Sequence, residues 1–319
     1  MDIGAAAFSG FGLIARRPLS VLVWGLVYTL IVMIPMGLFF GLAGPDIVEF
    51  YRTFFQNAAH GSSAPPDMGP MMAMQARLGM INPLLWIASL TARGVLMAAV
   101  FRAILRPEQS SFFSLRLGMD ELWQAIMYLV MSFVAVGVII GVLIVSFIVG
   151  GGLFLAASAA PEPWTGWVRT LAIIICVVGG VGAMLWVLLR LSMAAPMTFA
   201  HKQFMLGESW SLTRGRTLQL FLMCLLLIVV LMVVEAVIGT IVVVAVMSAA
   251  GAGGLFQPGH LRAMLDQPAS VWMSGLLPWF IGLGAVGALL TGPLAAIFIA
   301  PWATAYKQIA DRRAASLPV

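Results

Sequence analysis

The chain has 319 residues, 62% of them hydrophobic and only 9% charged, with a mean hydropathy of +1.05. That balance excludes a water-soluble domain, whose surface needs far more polar side chains. The net charge of +5 comes from basic residues scattered singly between apolar runs, which form no stripe for nucleic acid and suit a membrane surface instead.

Apolar runs long enough to span a bilayer recur along the whole length, so the sequence predicts an all-α integral membrane protein with six transmembrane helices in one polytopic domain, 1–319. The first span covers about Leu19 to Leu42 after Arg16-Arg17-Pro18, with Pro35 as a kink and Gly44-Pro45-Asp46 as its end. That run is longer than a signal-peptide core, so it is expected to stay in the protein. The stretch from Gly44 to Asn82 reads as a long outer loop whose first part puts Phe50, Tyr51, Phe54 and Phe55 on an apolar helical face.

The second span runs from about Pro83 to Leu105 with Arg93 at its middle. The third, about Leu122 to Val149, is closed by Gly150-Gly151-Gly152. The fourth, Val168 to Pro196, carries Arg190 near its end. The fifth, Leu218 to Met247, holds Glu235, and the sixth ends near Tyr306 with Pro293 and Pro301 inside it. With both termini on the cytoplasmic side, the inner segments hold eleven basic residues: Arg16, Arg17, Arg102, Arg106, Arg116, Lys202, Arg214, Arg216, Lys307, Arg312 and Arg313. The outer loops hold four, Arg52, Arg77, Arg169 and Arg262, a bias that orients the protein. Trp86, Trp164, Trp167 and Trp272 then fall at the outer boundary and Trp123, Trp210 and Trp302 at the inner one.

Two internal similarities suggest three pseudo-repeated units, about 8–112, 113–209 and 210–319, each an interfacial amphipathic helix plus a helical hairpin. Phe113-Ser114-Leu115-Arg116-Leu117-Gly118 returns 97 residues later as Trp210-Ser211-Leu212-Thr213-Arg214-Gly215, with a fainter copy at Phe8-Ser9-Gly10. Ala195-Pro196 through Lys202-Gln203 returns as Ala300-Pro301 through Lys307-Gln308, and Ala99 to Arg106 is the related ending in the first unit.

On the Ala195-Pro196 ending, the lead-in Trp210 to Gly215 and the six-span order with a long first outer loop, the chain resembles the YciC-like family of bacterial membrane proteins. It is similar in the same way to the membrane domain attached to some glycerophosphoryl diester phosphodiesterases. The resemblance implies six helices with interfacial lead-ins. The phosphodiesterase activity belongs to a soluble domain that this chain lacks, so no catalytic residue carries over.

The three histidines, His60, His201 and His260, fall on opposite sides of the bilayer in this topology, so they do not share a zinc. Neither a P-loop, HExxH, GxSxG nor an intramembrane carboxylate pair is present, and no enzyme chemistry, cofactor or metal is expected. Met68, Met71, Met72 and Met74 offer thioethers of the kind that select Cu(I), but no Cys or His sits among them and they read as an apolar cover. Cys176 and Cys224 read as isolated buried thiols. Gly37…Gly41 and Gly137…Gly141 have the spacing of close helix approach.

Arg116, Arg214 and Trp210 are the candidates for contact with lipid headgroups, set against simple anchoring of the lead-ins. Arg93, Arg190 and Glu235 are the intramembrane charges, and similar depth predicts an Arg93–Glu235 contact, with protonated Glu235 on a backbone carbonyl as the alternative. The functional expectation is a non-enzymatic protein of the bacterial inner membrane that binds or organises phospholipid, or serves as an accessory subunit of a membrane complex. A transporter of a small or amphipathic solute is the alternative.

Overall fold

The computed structural model describes residues 1–59, 68–109, 112–158, 164–252, 267 and 269–315. Among the described residues ten α-helices follow in order: α1 (Ile3–Ala7), α2 (Ser9–Arg16), α3 (Pro18–Ala59), α4 (Gly69–Leu105), α5 (Met119–Ser158), α6 (Trp164–Leu191), α7 (Ala194–His201), α8 (Leu206–Leu212), α9 (Thr217–Ala252) and α10 (Ala269–Ala315). Six stretches, Pro18–Phe55, Met71–Leu105, Met119–Ser158, Thr165–His201, Thr217–Ser248 and Leu277–Ala315, are long and apolar enough to cross a membrane. Among the described residues there is no strand.

Two of the breaks expected from the sequence do not occur: Pro45 lies inside the 42-residue α3 and Gly150-Gly151-Gly152 inside α5, while Pro35, Pro293 and Pro301, expected as kinks, lie inside α3 and α10. In an apolar medium an unpaired backbone amide has no water to turn to, so the helix persists across residues that end helices in water. The expected first outer loop is thereby replaced in large part by helix. α3 continues to Ala59 and α4 begins at Gly69, with Arg77 bonding Asp46 (3.0 Å) and the Leu42 carbonyl across the pair. The expected apolar face holds three of its four rings outward: Tyr51, Phe54 and Phe55 are exposed, while Phe50 is half-buried and stacks on Phe54.

Backbones approach most closely where α3 crosses α10. A Cβ on Gly25 would stand 2.1 Å from the Ala288 carbonyl oxygen, and one on Gly292 would stand 1.9 Å from that of Val21. Small residues admit such crossings, and attraction between tightly fitted backbones is what holds helices together in lipid. The glycines singled out from spacing do not play this part: Gly37, Gly41, Gly137 and Gly141 have nothing within 4 Å of an added Cβ. Their spacing satisfies the pattern, but no neighbouring helix comes up against them.

Both buried clusters sit at the end of the bundle that carries most of the arginines, here called the basic end. One joins Leu13, Val21, Trp24, Phe101, Phe199 and Ala300. The other joins Ala6, Leu189, Met193, Leu220, Met223 and Tyr306. Further from that end the helices expose long apolar stretches, such as Ile139 to Leu155 on α5 and Ile173 to Val181 on α6. α9 shows the change within one helix, since its buried residues stop at Leu227.

The lead-ins differ in form. α1 and α2 are helical, as is α8 over Leu206–Leu212, but Phe112–Ser114 forms a single 3₁₀ turn with Phe113 and Ser114 at φ of 56° and 61°, so no amphipathic helix forms there. The turn is held from outside: the buried Trp24 indole donates to the Phe113 carbonyl (2.6 Å) and Arg102 to that of Ser114 (2.5 Å).

Candidate functional site

The site is built from the α4–α5 hairpin. Gly94 lacks the Cβ that would stand 2.8 Å from the Glu121 carbonyl and 2.9 Å from Ala125, so α5 lies directly on α4. Tyr128, one turn beyond Ala125, then faces Arg93. The guanidinium sits 4.7 Å from the centre of the tyrosine ring and donates to its hydroxyl.

No carboxylate among the described residues lies within ion-pair distance of Arg93, and its buried Nε has no hydrogen-bond partner there. The expected Arg93–Glu235 pair does not form. Glu235 lies on α9 beyond its last buried turn, where its side chain is exposed and makes no ion pair among the described residues. The two residues do not meet because α9 joins the bundle only near the basic end, before Glu235 is reached.

Two cavities meet at Arg93 and Tyr128. One, of about 440 Å³, lies between α4 and α5 and includes Ser89 and Ser132 in its wall. The other, of about 470 Å³, lies among α4, α5, α6, α7, α9 and α10, with leucines, methionines and Trp302 around it. Leu85, Ser89, Arg93, Met97 and Phe101 recur every four residues along α4, so one helix face serves both cavities. That face is about 24 Å long at the α-helical rise, most of a hydrocarbon core of roughly 30 Å. Arg93 is the charged residue in this track and lies near its middle.

Nine residues along α4, Arg102 is bonded in a different way. It is 1% exposed, and its guanidinium meets the Glu121 carboxylate at 2.5 Å, the Ser114 carbonyl at 2.5 Å and Asp120 at 3.6 Å. Arg106 meets Asp120 at 3.3 Å and donates to the carbonyls of Phe199 (2.8 Å) and Ala200 (3.1 Å). Both guanidiniums lie beside the Phe199 ring, and the fully buried Gln124 donates to the Ala195 carbonyl (3.3 Å). This network ties α4, α5 and α7 together and accepts the chain between α4 and α5.

Arg190 is a tethering residue as well. It stands 5.5 Å from the Trp186 ring and 5.6 Å from that of Trp210, and it donates to the Trp210 carbonyl (3.3 Å). Its own carbonyl accepts from Ser209 (2.9 Å) and Thr213 (3.2 Å), so the end of α6 holds α8 in place. Arg116 and Arg214 are exposed at the basic end, and Trp210 is partly exposed, packed edge-on against Trp186.

His201 lies within hydrogen-bond distance of the Tyr306 hydroxyl (3.1 Å), and His60 and His260 fall outside the described residues. Met68 and Met72 are exposed, Met71 is half-buried, and the Met74 side chain is outside the described set. Among the described residues no cluster of three or more His, Cys, Asp or Glu is placed to hold a metal. Cys176 and Cys224 are free and half-buried, the latter in the wall of the larger cavity.

Sequence reasoning missed Tyr128, the Arg102 network and the cavities. A signal existed for the first two. Asp120-Glu121 opens the third span just after Arg102 and Arg106 close the second, and counting back along one helix and forward along the other brings Tyr128 level with Arg93.

The fold and these intramembrane polar groups define a polytopic helical membrane protein. No family model, curated protein or solved structure matches this chain.

Proposed function

We propose that the protein is a non-enzymatic membrane protein that binds lipid within its helical bundle. The observation that carries this reading is the cavity of about 470 Å³, walled by six helices, apolar apart from Arg93, Tyr128 and Ser192, and of the size that single small-molecule sites have. A space with that lining favours a hydrocarbon chain over a polar solute. The exposed Arg116, Arg214 and Trp210 at the basic end supply headgroup contacts at the bilayer surface.

Cys224 gives a local test. In a Cys176→Ala chain it is the sole thiol and lies in the cavity wall. Native mass spectrometry of the purified chain should detect retained phospholipid or a single-chain lipid. A membrane-permeant maleimide should modify Cys224 slowly until that lipid is removed. Retained lipid with no effect on Cys224 labelling would place the lipid elsewhere and defeat the reading.

An accessory-subunit role is a second reading, favoured by Glu235. A carboxylate on the exposed face of α9 is costly in hydrocarbon, by about 3 kcal/mol or more, and a donor from a partner chain would relieve that cost. Co-purification of a protein that is lost on Glu235→Leu tests it. Transport, the third, would use the track through Arg93 from one face to the other.

The repeat and the topology belong to the same proposal. Ala99 and Ala300 are fully buried in one cluster and Ala195 packs against it, which supports three related span endings around a shared centre. The eleven-to-four distribution of basic residues supports cytoplasmic termini in a bacterial inner membrane, and the same motifs support membership of the YciC-like family. An impermeant thiol reagent that labels Ser211→Cys in intact cells would reverse the orientation.

A further inference from the structure

We infer that the site at Arg93 takes an amphiphile with one acyl chain and an oxyanion headgroup, carboxylate or phosphate. This deepens the lipid reading and rests on it.

The first ground is charge. Arg93 carries a guanidinium, yet its side-chain partner is the Tyr128 hydroxyl rather than a carboxylate. An arginine at this depth without a carboxylate is expensive, and an anion is what offsets it. The second ground is donor capacity. The Arg93 Nε is buried without an acceptor among the described residues, as are those of Arg102 and Arg190, but Arg93 alone of the three lines a cavity described above. The Tyr128 hydroxyl accepts from Arg93, and its own proton has no acceptor among the described residues, so it can be donated as well. Ser132 is different, because its hydroxyl already donates to the Tyr128 carbonyl (2.8 Å).

The third ground is the division of polarity across the two cavities. The α4–α5 side of Arg93 mixes Ser89, Ser132 and the tyrosine hydroxyl with Leu85, Trp86, Leu90 and Leu129, so the polar groups that can meet a headgroup lie on this side. The larger cavity on the other side is lined by Leu96, Met131, Leu188 and Phe298 among others, which suits a chain. A guanidinium at the junction of a mixed and a more uniformly apolar space matches a molecule with a charged end and a long apolar remainder. A neutral lipid leaves the charge uncompensated, and a free inorganic anion leaves the larger cavity unused.

The test uses the purified full chain in a neutral detergent and two probes, 9,10-dibromostearate and the alcohol of the same brominated chain, whose bromines quench tryptophan on contact. Trp302 lies in the cavity wall. Both probes are expected to quench saturably, and Trp302→Phe should remove most of that quenching. The acid should bind about tenfold or more tightly than the alcohol, the ratio that a charge-assisted hydrogen bond gives. Arg93→Met should abolish the preference by bringing the acid's affinity down to that of the alcohol, and Arg93→Lys should keep part of it. Stearyl phosphate should compete with the acid, whereas inorganic phosphate should not.

Equal affinity of acid and alcohol in the unaltered chain, or a preference that survives Arg93→Met, overturns the anion site. Competition by inorganic phosphate as strong as by stearyl phosphate overturns the requirement for a chain. Saturable quenching by neither probe would instead remove the lipid-binding reading beneath it, an outcome distinct from the first two.

Discussion

Arg93 and Arg102 lie nine residues apart on one helix and face the same neighbour, α5, yet their surroundings are opposite. Arg102 is enclosed and meets Glu121, Asp120 and the Ser114 carbonyl. Arg93 is half-buried between two cavities and meets one tyrosine. A buried charge whose partners come from the protein holds the fold, whereas Arg93, which borders two cavities and lacks a countercharge, is the one the proposal gives to a ligand. Arg190 belongs with Arg102, since it fastens α8 to the end of α6. The 97-residue offset of the lead-ins also places Arg190 on Arg93, and the two have different surroundings.

The largest expected effect is on the Arg102 side. Arg102→Met leaves Glu121 buried without its cation and should destabilise the fold by about 3–5 kcal/mol in thermal unfolding in detergent. Arg102→Met with Glu121→Leu should recover much of that loss, because both charges are then gone. Additive losses would mean that the two side chains contribute independently, and the comparison with Arg93 would lose one of its halves.

Next in size is the crossing that fixes the basic end. Gly292→Ala places a methyl 1.9 Å from the Val21 carbonyl oxygen and should cost about 1–3 kcal/mol or more. Gly141→Ala meets nothing within 4 Å and should be neutral or slightly stabilising, by up to about 1 kcal/mol. Equal effects at the two glycines would contradict the assignment of the close approach to α3 and α10.

Smallest are the exposed arginines. Arg214→Gln should change stability by no more than about 0.5 kcal/mol. Its readout is instead the anionic phospholipid retained after purification, which should fall further when Arg116→Gln is added. Unchanged lipid content would leave these residues as anchors alone.

How much was legible follows from where information lies in a membrane sequence. Length and apolarity announce spans, so all six were visible, because hydrocarbon thickness acts on each helix separately. Helix ends were less visible: glycine and proline at 44–45 and 150–152 are stop signals only where water can take up the freed backbone groups. Pairing between helices was least visible. Depth along the chain placed Arg93 level with Glu235, but which helices touch depends on features such as Gly25 against Gly292, whose meaning appears only once both are placed. The Gly37 and Gly137 pairs show the converse, a pattern without a partner. The 3₁₀ turn at Phe112–Ser114 was hidden for a similar reason, since Trp24 and Arg102 hold it from elsewhere in the chain.

The central claim is that Arg102 serves the fold and Arg93 serves a ligand, and thermal unfolding of the purified chain with and without stearyl phosphate separates the two most directly. The unaltered chain should gain several degrees with ligand, as any ligand that binds only the folded state requires. Arg93→Met should unfold no earlier than the unaltered chain and gain little from the ligand. If Arg93→Met instead unfolds as early as Arg102→Met, or gains as much from stearyl phosphate as the unaltered chain, the division of roles along α4 is wrong.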